Sequence, residues 1–178
     1  MRHSQLVVAV GLLVALVGPG TSGSFAVPTL SRDALRNTVY RSVYVGSGEV
    51  KLVNGKAEVD DPEGKVTVSL TDFVAFGDLN GDGLSDAVAV LVTHGGGTGS
   101  FYDLAAVIDR RGKAVHAASA PLGDRVKVES VGITAGQVEV RMVTHAREDP
   151  LCCPTLPVRK TYRLQGSQLV EQTATQRK

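Results

Sequence analysis

The chain has 178 residues, 43% of them hydrophobic, which is enough for one domain with its own core and argues against disorder. Its 19 Lys+Arg and 18 Asp+Glu leave a formal charge of +1, which argues against nucleic acid or an anionic membrane surface as the main partner. Trp is absent and aromatics reach only 4%, so the core must be built from Val, Leu and Ala, a composition that favours strands.

Met1-Arg2-His3 is a short basic start, and "LVVAVGLLVALVG" (6 to 18) is an apolar run of signal-peptide length, short for a membrane span. Small residues at Ser24 and Ala26 place the cleavage after Ala26. The expected organisation is a signal peptide over 1–26 and a single exported β-domain over 27–178, periplasmic or secreted, with no membrane span after processing. An uncleaved membrane anchor is the competing reading. Cleavage removes one Arg and no acid, leaving 18 Lys+Arg against 18 Asp+Glu. The acids crowd between Glu58 and Asp86, a stretch that includes Asp60, Asp61, Glu63, Asp72, Asp78 and Asp82. The basic residues Arg159, Lys160, Arg163, Arg177 and Lys178 gather toward the other end and read as a solvated strand face.

Residues 29–40, "TLSRDALRNTVY", carry the signals of one short helix with Ser31 as its cap. The pattern then turns to β. Asn54-Gly55 separates two short alternating runs (48–59) and predicts a hairpin. Two strands follow at 65–70 and 72–76. "DAVAVLVTH" (86–94) and "YDLAAVID" (102–109) hold consecutive apolar residues, so both faces of each should be covered, at the centre of the sheet. "GGGTGS" (95–100) between them reads as a flexible loop, and Gly112 marks the next turn. In 125–131 and 137–143 apolar residues alternate (Val126 and Val128; Val138, Val140 and Met142), which predicts outer antiparallel strands with one dry face. Gly136 turns one into the other, and a last hairpin is expected around Gly166-Ser167. The sum is a mainly β fold of nine or ten strands, an antiparallel β-sandwich or curved meander with a short N-terminal helix.

"GDLNGDGLSD" (77–86) sets oxygen-bearing residues at every second place. With Asp78 as position one, Asn80 is three, Asp82 five, Gly83 six, Leu84 seven and Asp86 nine, the series a calcium-binding EF-hand loop uses. Calcium takes six to eight oxygens at about 2.3–2.6 Å, and a tight loop with alternate acceptors can wrap one ion. Position twelve, however, is Ala89 where an EF-hand has a bidentate Glu, and the flanks read as strands. "Phe76-Gly77-Asp78-Leu79-Asn80-Gly81-Asp82-Gly83" resembles the loops of integrin-type FG-GAP repeats, and also those of dockerins and thrombospondin type 3 repeats. The resemblance covers about a dozen residues and implies a structural Ca²⁺ held by Asp78, Asn80, Asp82, Asp86 and the carbonyl of Leu84. A single such loop does not imply a propeller. A polar turn that binds nothing is the competing reading, since Asn-Gly and Asp-Gly form turns without metal.

The chain's two cysteines, Cys152 and Cys153, are adjacent in "DPLCCPTLP" (149–157). In an exported protein they are expected to pair as a vicinal disulfide; free or intermolecular thiols and a metal or redox site with His145 are the alternatives. Taken with "LGDRVKVES" (122–130), the aspartate loop and "Thr161-Tyr162-Arg163-Leu164-Gln165-Gly166", this segment resembles a family of bacterial exported proteins and lipoproteins across most of the mature chain. That family carries no established activity to transfer, and no Cys stands here at the processing site.

"His94-Gly95-Gly96-Gly97" is similar to the oxyanion-hole segment of some esterases, but the G-x-S-x-G elbow that such a site needs is absent from the mature chain. No zinc-protease, Walker or dinucleotide motif occurs. His94, His116 and His145 read as loop or edge residues. Two function classes result. One is a non-enzymatic, calcium-stabilised module binding an unknown protein or ligand at the cell envelope through the loops 95–100 and 149–157. The other is a redox-active or thiol-dependent exported enzyme using the cysteine pair.

Overall fold

The computed structural model describes residues 29–61 and 64–172. The expected signal peptide over 1–26 and its cleavage site lie outside these residues, as do Glu63, Arg177 and Lys178. The chain begins with α1 (Arg32–Arg36), β1 (Val39–Arg41) and β2 (Glu49–Lys51). A five-stranded antiparallel meander follows: β3 (Lys56–Asp61), β4 (Gly64–Gly77), β5 (Asp86–His94), β6 (Phe101–Arg110) and β7 (Lys113–Asp124). A second, four-stranded meander is made of β8 (Lys127–Thr134), β9 (Gln137–Thr144), β10 (Leu156–Gln165) and β11 (Gln168–Glu171). Among the described residues no helix is long and apolar enough to cross a membrane.

The large sheet lies between two layers, and its central strands show why their apolar residues are consecutive. Val88, Val90, Leu104, Ala106 and Ile108 join Val128, Val138, Val140, Met142, Tyr162 and Leu169 of the small sheet in one buried cluster. Their neighbours Ala87, Leu91, Ala105 and Val107 point the other way. There they meet Leu30, Leu35, Tyr40, Val50 and Leu52 of the N-terminal helix and hairpin. Since side chains alternate along a strand, only a strand covered on both sides can be apolar at every position. The small sheet contributes to the first cluster alone, which accounts for the wet–dry alternation of β9.

Local signals act as expected at several places. Ser31 caps α1, its hydroxyl accepting the Ala34 N–H at 3.1 Å. Ala135 and Gly136 both have positive φ (49° and 71°), the conformation that a two-residue β8–β9 hairpin requires. Asn54 and Gly55 also form a tight turn, but it closes only the single bridge Val53–Lys56. The runs on either side of it join different sheets, β2 pairing with β1 and β3 with β4. The two strands expected at 65–70 and 72–76 are one strand, β4, whose register with β5 shifts between Leu70 and Val74. Thr71 sits in that break and donates its hydroxyl to the Val90 carbonyl at 2.8 Å. Beyond it Phe73 and Ala75 turn onto the inter-sheet core, and β4 runs against β8. This bend carries the end of β4 to the β8–β9 hairpin. There Gly77 is packed so closely that a Cβ would stand 2.8 Å from Ile133 Cγ2.

Candidate metal centre

The β4–β5 connection holds the aspartate series. It is folded by its own side chains. Asp78 Oδ1 accepts the N–H groups of Gly81 (2.7 Å) and Asn80 (3.2 Å), and Oδ2 accepts that of Gly83 (3.0 Å). Asn80 Oδ1 accepts the Asp82 N–H at 2.9 Å, and Asp82 Oδ1 the Leu84 N–H at 2.8 Å. Each acceptor thus turns the backbone two residues on, the habit of Asn and Asp in turns. Gly81 and Gly83 (φ 81° each) supply the left-handed positions between them.

Asp86 differs from the rest. It opens β5 and is fully buried. Its Oδ2 accepts the Leu79 N–H at 3.0 Å and its Oδ1 the Asp109 N–H at 2.8 Å. Asp109, also buried, accepts from Gly112 N–H at one oxygen and from Leu30 N–H at the other, the latter at 3.0 Å. A run of carboxylate-to-backbone bonds therefore connects the loop to the start of the N-terminal layer. Leu79 anchors the loop from the apolar side, buried in the inter-sheet core.

The electrostatics divide along the same line. Hydrogen bonds from the Gly83 and Gly81 N–H groups hold the Asp78 carboxyl below its usual range. Burial pushes Asp86 up; the N–H groups of Asp109 and Leu79 oppose this, and the charges of Asp82 and Asp78 raise it further. Among the described residues, no lysine, arginine or histidine forms an ion pair with Asp78, Asp82 or Asp86. The wholly buried Asp86 thus has no basic side chain as an ion-pair partner.

In donor type, charge and order the loop fits a hard divalent cation. Each carboxylate offers about four lone-pair sites, so one or two N–H bonds per oxygen leave acceptor capacity on Asp78, Asp82 and Asp86. The oxygens are turned to the loop's own N–H groups, however, rather than gathered on one point. Among the described residues no three Asp, Glu, His or Cys side chains stand together as a ready ligand group. Ala89 is buried within β5 and offers no ligand at position twelve. A hollow of about 440 Å³ beside the loop is lined by Asp78, Asn80, Ile133, Gly136 and Arg163. Arg163 of β10 is exposed, as expected of a solvated strand face, and lines this hollow opposite Asp78.

The second expected site is separate. Cys152 and Cys153 are joined as a vicinal disulfide on the β9–β10 loop, and both are exposed. Asp149 organises that loop: its Oδ2 accepts the N–H groups of Ala146 and Thr155, each at 2.7 Å, and Thr155 Oγ1 donates to Oδ1 at 2.8 Å. The Ala146 N–H holds Asp149 below the usual carboxylate range; desolvation opposes it, and the Thr155 hydroxyl and N–H add to the lowering. In the sequence Asp149 stands out only as part of the cysteine motif; an Asp at the mouth of a Pro-flanked loop is the signal that marks a clamp. The glycine loop 95–100 is tied at its end, Ser100 N–H donating to Asp124 Oδ1 (2.8 Å) and Arg125 Nη2 to Thr98 Oγ1 (2.9 Å).

His116 Nε2 lies 2.9 Å from Ser119 Oγ, a pairing that invites a nucleophilic reading. Ser119 Oγ donates its proton to the Arg41 carbonyl at 2.8 Å, so the imidazole is the donor and Ser119 the acceptor. That is the reverse of an activated serine. Burial, more than the nearby Arg41 charge, lowers the His116 pKa to about 4 and keeps the ring neutral.

Comparison of the chain with protein-family models, with curated proteins and with solved structures gives no match.

Proposed function

We propose that this protein is an exported, non-enzymatic β-domain of the periplasm or the secreted fraction. Its Asp78–Asp86 loop takes up one structural calcium ion, and its loops present a binding surface to a protein or ligand at the envelope. Asp78, Asn80, Asp82 and Asp86 would hold the ion with the carbonyl of Leu84, and the ion would supply the positive charge that the aspartates lack. The observation that carries this reading is the fully buried Asp86 carboxylate, which sits near the acids Asp82 and Asp78 and is paired with no basic side chain. A buried charge persists when paired or coordinated to a metal. The resemblance to bacterial exported proteins and lipoproteins supports the location. Leu79, buried in the inter-sheet core and bonded to Asp86, argues that the ion would set the β4–β5 bend rather than act on a substrate.

The test is thermal unfolding of the full chain in calcium, in magnesium and in chelator. With calcium in excess at 10 to 100 times a dissociation constant of about 10⁻⁴–10⁻³ M, linkage gives about 1.4–2.7 kcal/mol and a raised Tm. Equal Tm values in all three solutions overturn the reading.

A further inference from the structure

We infer that the Cys152–Cys153 bond is a thiol–disulfide exchange site, opened by a dithiol in the folded protein, that reshapes one loop and leaves both sheets in place. The inference does not rest on the calcium reading. Three observations carry it.

The bond is reachable. Both cysteines are exposed at the tip of the β9–β10 loop, next to Leu151, which is 70% exposed. Exchange requires a thiolate to reach a sulfur, and access sets its rate along with thiol chemistry. The bond is also no staple. A disulfide stabilises a fold chiefly by closing a loop in the unfolded chain, and more for longer loops. Neighbouring residues enclose nothing between them, so this bond removes almost no unfolded-state freedom. Neither core cluster contains a cysteine.

Finally, the loop has a frame that does not depend on the bond. The strand pair Thr144–Leu156 closes its base. Inside that, Asp149 holds the Ala146 and Thr155 N–H groups, and its own N–H donates to the Ala146 carbonyl at 3.2 Å. Only the tip is tied to the sulfurs. There Cys153 N–H donates to the Pro150 carbonyl at 3.0 Å, and His145 Nε2 lies 3.2 Å from the Leu151 carbonyl. Opening the eight-membered ring frees the peptide between the cysteines and releases these two contacts, while the frame remains.

The step balances with a dithiol as reductant. One of its thiolates attacks a cysteine sulfur, the S–S bond breaks, and the departing cysteine leaves as a thiolate that takes a proton. The second thiol of the reagent attacks the mixed disulfide and releases the other cysteine. Two electrons and two protons reach the pair, and the reagent leaves as its own disulfide; a disulfide oxidant runs the exchange backward.

The experiment uses the full folded chain and dithiothreitol without denaturant, followed by iodoacetamide and intact mass. The expected result is two alkyl groups per chain after reduction and none before, with the melting midpoint unchanged. Hydrogen exchange should speed up at the Cys153 amide and stay constant at the amides of Ala146 and Thr155. Oxidised glutathione should restore the original mass and exchange pattern. The Cys152→Ser/Cys153→Ser variant should show the reduced pattern without any reductant. Alkylation that appears only in denaturant, loss of the folded transition on reduction, or unchanged exchange at the Cys153 amide would each overturn the inference; reduction of the natural chain needs no variant to fold.

Discussion

The aspartate loop and the cysteine loop are both short connections between antiparallel strands, and both carry residues that stand out in the sequence. They relate to the fold in opposite ways. The aspartate loop drives Leu79 into the core and roots itself on Asp86, whose oxygens hold two main-chain N–H groups from different parts of the chain. The cysteine loop ties off its own base through Asp149 and leaves its disulfide in solvent. Disturbance should therefore spread from the first and stay within the second.

Asp86→Ala should break the first loop most severely. It strands the buried N–H groups of Leu79 and Asp109, and at about 1–3 kcal/mol for each unsatisfied donor the loss is about 2–6 kcal/mol in urea unfolding. A loss under about 1 kcal/mol would mean that the loop is no more rooted than its counterpart. Gly77→Ala tests the same root from the backbone side. The new Cβ meets Ile133 Cγ2 at 2.8 Å, and overpacking of this kind costs about 1–3 kcal/mol. Adding Ile133→Ala removes the clashing carbon, so the two substitutions should be non-additive in a double-mutant cycle.

Acid should separate the loops by sign. Asp149 has a folded pKa below the ordinary aspartate value of 3.8, so its contribution is fully present above that value and is lost as pH falls through the folded pKa. Asp86, raised above 3.8 by burial, binds its proton more readily in the folded, cation-free chain; that chain is penalised above the raised pKa and relieved as pH falls through it. Carboxyl carbon shifts followed by NMR should show Asp86 titrating before Asp149 on acidification. The reverse order would contradict the contrast. The smallest effect belongs to the cysteine loop: Cys152→Ser/Cys153→Ser should change global stability by no more than about 0.5 kcal/mol, as surface substitutions do.

What the sequence disclosed about these regions follows from the range of each interaction. Consecutive apolar residues in 86–94 and 102–109 reported burial on both faces, alternation at Val138, Val140 and Met142 reported one dry face, and Ser31 announced its helix. These are local signals. Strand β1 overlaps the end of the expected helical segment (29–40) and, at three residues with only Tyr40 buried, carries too short a pattern to announce itself. β7 runs on to Asp124 through an Ala-rich stretch and Pro121, and its pairing with β6 shifts register twice, so no clean period announced it. The Asn54-Gly55 turn fixed a reversal of direction but not the partners of the chains it joins, which burial chose. In the candidate site, the aspartate series was plain from its spacing. The role of Asp109 was not, since its carboxylate holds the N–H of Leu30, 79 residues away. Arg163 shares a hollow with the loop only through the folding of the chain, 85 residues beyond Asp78 in sequence.

The account turns on whether the Asp78–Asp86 loop carries an ion. Equilibrium dialysis of the full chain against labelled calcium measures this directly. One ion per chain should bind, with a dissociation constant of about 10⁻⁴–10⁻³ M, and Asp82→Ala should abolish it while Cys152→Ser/Cys153→Ser leaves it unchanged. No calcium retained by the natural chain at millimolar concentration would contradict the account.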